Sequence, residues 1–119
     1  MAQRLSLENA RKIRKHLYLL KVLAKAGKRR RQKILLTAPS ALFKVLDLIF
    51  QNCLSGKIPI QKHHLKKHRK FMQKNSNKSF RAIKDNIVQD GGGFSLLLAG
   101  LIPVIGNLLS SLIKLVALY

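Results

Sequence analysis

Asp90-Gly91-Gly92-Gly93-Phe94 is where the chain changes its chemistry. Up to and including Asp90 lie 23 of the 24 Lys and Arg residues and all four acids. After it, residues 94–113 carry no charge, and Lys114 and a last apolar stretch to Tyr119 follow. A polycation is joined to an apolar tail through three glycines. Because glycine resists neither bend nor twist, the triplet at 91–93 predicts a hinge between a basic body and the tail.

The 119 residues have room for one small domain with appendages. Glu8, Asp47, Asp85 and Asp90 are the only acids, giving a formal net charge of +20. Such an excess weakens a compact fold by self-repulsion and draws the molecule to polyanions, either nucleic acid or an anionic membrane. Duplex DNA carries one charge per ~1.7 Å of axis, so this charge matches about twenty phosphates, or roughly ten base pairs. Cys53 is the single cysteine, so no internal disulfide can form. No long apolar run follows the N-terminal positive charges, so no secretory signal is expected.

Ser6, with Glu8 and Asn9 in the first turn, opens a helical pattern. Leu7, Ala10, Ile13, Leu17, Leu20 and Ala24 make one apolar stripe, with Arg11, Lys12, Arg14, Lys15 and Lys21 beside or opposite it. One basic amphipathic helix is predicted over residues 1–27, stopping at Gly27. Lys28, Arg29, Arg30 and Arg31, with Lys33, form the densest cationic block, a pattern shared by nucleic-acid patches, nuclear import signals and plain solvated helix starts. Pro39 suits a helix first turn, with Thr37 or Ser40 as cap. Residues 41–54 are apolar almost all round, with Lys44, Asp47, Gln51 and Ser55 as one thin polar stripe. A helix so narrowly wet belongs inside a core, ended by Gly56. Cys53 lies in that run and reads as a small hydrophobe.

Pro59 holds Ile58 extended. A strongly basic helix over residues 61–74 then carries Lys62, Lys66, Lys67, Arg69, Lys70 and Lys74, with a weak seam of Leu65, His68 and Met72. Asn75-Ser76-Asn77 makes a turn, and Phe80, Ile83 and Ile87 mark a short helix ending before the glycines. The expectation is an all-α protein: a small basic helical domain of three to four helices over residues 28–90 and the preceding helix, then a Gly/Pro-interrupted apolar tail over residues 94–119.

Little here supports catalysis or a cofactor. Four acids leave few groups for paired-carboxylate chemistry or for orienting a base, and there is no P-loop or Gly-x-Ser-x-Gly. Gly91, Gly92 and Gly93 follow no strand, so they are not a dinucleotide loop. His64 and His68 have a metal-ligand spacing and His63 is adjacent, but lysines crowd them and no carboxylate or cysteine is near, so no metal is expected.

The tail has two readings. Twenty uncharged residues reach about 30 Å as a helix, enough for a bilayer core. Phe94, Leu96, Leu97, Leu98, Leu101, Ile102, Val104, Ile105, Leu108 and Leu109 would then meet lipid. Pro103, between Gly100 and Gly106, predicts two arms, 94–101 and 104–118, able to dip into one leaflet. The alternative is that the tail packs on the core helix at 41–54.

The order of pieces resembles a known family. Ala41-Leu42-Phe43-Lys44-Val45-Leu46 begins the apolar helix, which ends Cys53-Leu54-Ser55-Gly56-Lys57-Ile58-Pro59-Ile60. His64-Leu65-Lys66-Lys67-His68-Arg69-Lys70 and Ile87-Val88-Gln89-Asp90-Gly91-Gly92-Gly93-Phe94 follow. Over about residues 28–107 this is similar to the small basic virion proteins of adintoviruses and Polinton (Maverick) elements, regarded as similar to the adenovirus core protein X. The resemblance implies a non-enzymatic DNA-condensing protein of a virion core or host nucleus, with capsid proteins and a viral cysteine protease as partners. It also implies processing at Gly91, Gly92 and Gly93, although Gln89 or Asp90 stands where the adenoviral cleavage pattern has Met, Ile or Leu. The expected DNA contacts are the Lys and Arg residues of the 28–33 block and the 62–74 helix. The alternative from the residues themselves is a membrane-associated protein acting on anionic lipid through its tail.

Overall fold

The computed structural model describes residues 5–90 and 92–117, so Gly91 of the expected hinge lies outside the described residues, as do both extreme termini. Among the described residues every regular element is a helix: α1 (Leu7–Lys15), α2 (Leu17–Lys25), α3 (Lys28–Thr37), α4 (Ser40–Leu54), α5 (Lys62–Lys74), α6 (Phe80–Asp90) and α7 (Gly92–Ala117). The all-α class stands, but three to four helices and a tail undercounts these seven.

Part of the difference lies at His16. The Ser6 hydroxyl accepts a 3.1 Å hydrogen bond from Asn9 N–H and caps α1 as its sequence suggests. At His16 the backbone leaves helical geometry (φ −109°, ψ 5°), and its N–H turns to Ile13 O at 3.1 Å. No Gly or Pro asks for this break. It re-aims the second half of the stripe: α1 touches both α4 and α7, while α2 lies along α7. Tertiary packing overrides helix propensity, which is worth only tenths of a kcal/mol per residue.

Helix α4 is the core element its composition promises, burying Leu42, Phe43, Val45, Leu46, Ile49, Phe50 and Cys53. Its start differs in detail. Pro39 is the N-cap with no side-chain cap bond, and the Thr37 hydroxyl instead bonds back to Lys33 O at 3.0 Å. Gly56, at φ +83°, supplies the left-handed residue that ends α4, and Ile58 is buried just beyond. The polar stripe of α4 also has a task. Asp47 accepts from Gln51 Nε2 (3.0 Å) and from Asn77 N–H (2.8 Å), pinning the turn before α6 to the core helix.

The tail forms one helix, not two arms. Pro103 lies inside α7 on its exposed side, while Phe94, Leu97, Leu98, Leu101, Ile105 and Leu109 form a buried face. A mid-helix proline costs about 3 kcal/mol. Burying each large apolar side chain returns roughly 1.5–3 kcal/mol, so six of them outweigh it.

Helices α4 and α7 occupy the middle of the molecule. On α4, Ala41, Val45 and Leu48 face α1, and Phe50 on the opposite side meets Phe71 of α5 with ring centroids 5.9 Å apart. On α7, Ala99, Ile102 and Pro103 rim an open cleft beside α2, while Phe94, Leu97 and Gly100 face α5. The result is three layers: α1 and α2, then α4 and α7, then α5 and α6. Helix α3 packs beside α6.

Candidate nucleic-acid interface

Nearly all the cations proposed for binding are on the surface. Lys28, Arg29, Arg30 and Lys33 are exposed on α3, and Lys62, Lys66, Lys67, Arg69, Lys70 and Lys74 are exposed on α5. Helix α5 can spread its charges because its core contact is narrow, made by His68 and Met72 with half-buried His64, Leu65 and Phe71. Among the described residues the one ion pair is Glu8 with Lys12, at 3.5 Å and largely exposed. Among the described residues no carboxylate pairs with the α3 or α5 rows.

Arg31 is placed differently from its neighbours. It is buried, and its Nη1 donates to Ser95 Oγ at 2.6 Å and to Ala26 O at 3.5 Å. It therefore ties α3 to the first turns of α7 and faces inward from the cationic block. The period of α3 carries the signal: Arg31 and Leu35, four apart, are the two buried residues of that helix.

The α3 and α5 rows do not merge into one patch. Lys84 Nζ of α6 donates to Leu36 O at the end of α3 (3.2 Å), and Asn86 Nδ2 donates to Asn75 Oδ1 at the end of α5 (2.9 Å). Lys84 and Asn86 are about 200° apart around a helix. Ile83 and Ile87, both buried, lie on the arc between them, so α6 separates the two rows. A further cationic surface was legible in the sequence but not nominated. Arg11, Arg14, Lys15, Lys21 and Lys25 are exposed on α1 and α2, and Tyr18 among them is 80% exposed. Beside them, Lys12, Lys15, His16 and Lys44 ring a cleft of about 400 Å³ with an Ala41, Val45 and Leu48 floor.

The tail residues divide by face. Phe94, Leu97, Leu98, Leu101, Ile105 and Leu109 are buried; Ile102, Val104 and Leu108 are half-buried; Leu96 is exposed. Gly92 and Gly93 form the start of α7. Residues 93–112 have a mean hydropathy of 1.8, and α7 is long and apolar enough to cross a membrane.

The histidines sit at the α5–α7 contact. His64 Nε2 lies 3.4 Å from Leu97 O, and the His64 and His68 rings are 4.6 Å apart. Among the described residues no three His, Cys, Asp or Glu side chains gather as metal ligands. A Cβ on Gly100 would overlap the His64 ring, so the helices approach closely only because residue 100 has no side chain. Gly100→Val should destabilise the fold by about 1–3 kcal/mol, the usual range for overpacking. His64→Ala should recover most of that loss in a double-mutant cycle read by denaturant melts; additive effects would refute the contact. Cys53 is buried, and desolvation pushes its thiol up to about 12, so it stays protonated as a packing group.

Comparison with protein-family models, curated proteins and solved structures finds no match to this chain.

Proposed function

We propose that this chain is a non-enzymatic DNA-packaging protein that binds the phosphate backbone without reading base sequence and condenses the duplex. The observation that carries the reading is the set of ten exposed cations on α3 and α5, with no carboxylate paired to them among the described residues. Lys and Arg side chains on helix surfaces exchange counterions for phosphates, which gives affinity without sequence information. Arg31 acts in this reading as a structural tie, and the other ten cations make the contacts. The resemblance drawn from the sequence supports a virion core or host nucleus as the setting, with capsid proteins and a viral cysteine protease as neighbours and Gly91 to Gly93 as a processing point. The test is the salt dependence of affinity for duplex DNA.

A second reading rests on α7. Its length and hydropathy suit a membrane, and 28% of its apolar span is buried, so much of it is open to lipid without repacking. Basic faces on α1, α2 and α5 would hold anionic headgroups while α7 inserts. Pro103→Lys separates the readings, because residue 103 is exposed in the fold yet central in the span. A charge at the bilayer centre costs about 2.5–3.5 kcal/mol on insertion scales. The substitution should abolish leakage from anionic liposomes and spare DNA binding. Leakage that survives it would remove α7 as the agent.

A further inference from the structure

The sequence places basic segments one after another, but the fold sorts them onto opposite sides of the molecule. Helix α7 borders α2 along a cleft rimmed by Ala99, Ile102 and Pro103 and meets α5 through Leu97 and Gly100. Those two sets lie roughly 135° apart around a 3.6-residue repeat, so α2 and α5 flank α7 on different sides. Helix α4 is held in the same way between α1 and α5. The cations of α1 and α2 therefore point away from those of α5, with the apolar middle layer between them.

Two consequences follow from size. Packed helices lie about 8–10 Å apart, so two interlayer steps put the outer helix axes roughly 16–20 Å from each other. The screening length at physiological salt is about 8 Å, so phosphates bound on one face do not neutralise the other. The body measures 43 × 27 × 24 Å. Duplex DNA has a persistence length of about 50 nm, so one duplex lying on α5 does not turn back across so small a body to reach α1 and α2. Acids are few in the outer layers, Glu8 on α1 and Asp85 and Asp90 on α6, and lysines and arginines outnumber them on both sides.

We infer that one protomer joins two duplex segments, one held by the α5 row and the other by Arg11, Arg14, Lys15, Lys21 and Lys25 on α1 and α2. This rests on the DNA-binding reading and adds how condensation arises from a single chain. The cleft at His16 lies beside the second face, and the break between α1 and α2 lets that face run over both middle helices. Tyr18, 80% exposed on the same helix as Lys21 and Lys25, offers its hydroxyl to the sugar–phosphate backbone.

The test mixes donor-labelled and acceptor-labelled short duplexes with full-length protein and reads energy transfer between them, beside anisotropy of one labelled duplex. A one-face variant carries Arg11→Gln, Arg14→Gln, Lys15→Gln and Lys21→Gln. A split variant carries Arg11→Gln, Lys21→Gln, Lys66→Gln and Lys70→Gln, removing the same charge from both faces. All six positions are exposed, and circular dichroism checks that both variants keep the helical fold. The one-face variant should still saturate single duplexes while energy transfer falls to background, whereas the split variant, weakened on both faces but stripped on neither, should bind less tightly and still transfer energy above the one-face variant at saturating protein. Wild-type protein that saturates duplexes without pairing them overturns the inference and leaves the DNA-binding reading standing. So does a one-face variant that pairs as well as the split one, the result expected if bridging runs through protein self-association. Failure to bind any duplex sinks the DNA-binding reading itself.

Discussion

A chain ended at Asp90 should lose its cooperative unfolding transition. Removing α7 takes away six buried side chains, Phe94, Leu97, Leu98, Leu101, Ile105 and Leu109. At roughly 1.5–3 kcal/mol each, this is about 9–18 kcal/mol of apolar burial, while a small domain holds only about 5–15 kcal/mol of net stability. The deletion also uncovers the faces of α2 and α5 that pack on α7, including buried Leu20 and Leu23, and leaves the Arg31 guanidinium without Ser95. A residual basic body at high positive charge has little with which to stay folded. Thermal melts followed by circular dichroism should show a gradual loss of helix in place of a sigmoid. A truncated chain that melts cooperatively near the full-length midpoint would mean that α7 is an appendage. Cleavage at the glycines is a different matter from deletion: a cut backbone leaves the buried face in place, so a nicked chain should keep most of the transition.

That expectation separates what the sequence made legible from what it did not. Helix α4 was legible because its signal is local and strong: fourteen residues with one thin polar stripe, and Gly56 where a left-handed residue is needed. The basic helix α5 was legible for the same reason, with His68 and Met72 as its buried seam. The break at His16 was not, since the apolar stripe runs through it unbroken, and only the packing of α2 along α7 re-aims its second half. Pro103 misled in the other direction. Its local cost is real, but the burial along Leu101, Ile105 and Leu109 exceeds it, and that sum is invisible until the partner helices are known. For the candidate interface, the residue types were legible and their directions were not. Arg31 reads like its neighbours in a run of basic residues, yet points inward to Ser95. The cations of α1 and α2 read as the basic side of one amphipathic helix, yet form a face of their own across two helices.

The second large effect expected is a collapse of DNA affinity with salt. Each phosphate neutralised releases condensed counterions, so log affinity falls against log salt with a slope near −0.9 per contact on B-DNA. The six exposed cations of α5 predict a slope of about −5 for a duplex held on that row, and the four of α3, on their separate row, about −4. Between 50 and 200 mM salt those slopes correspond to a loss of about 10²-fold to 10³-fold. Lysines and arginines spread around helices α3 and α5 present charge in many directions and no fixed set of side chains to a groove, so AT-rich and GC-rich duplexes of equal length should bind alike. Single neutralisations are the sharper check. Lys66→Gln or Lys70→Gln should each flatten the slope by about 0.9 without creating a base preference, whereas Arg31→Gln should leave the slope unchanged and lower the melting midpoint, because its guanidinium serves the α3–α7 contact. A slope of about −2 or shallower, or a loss of slope on Arg31→Gln equal to that on Lys66→Gln, would contradict the proposed interface.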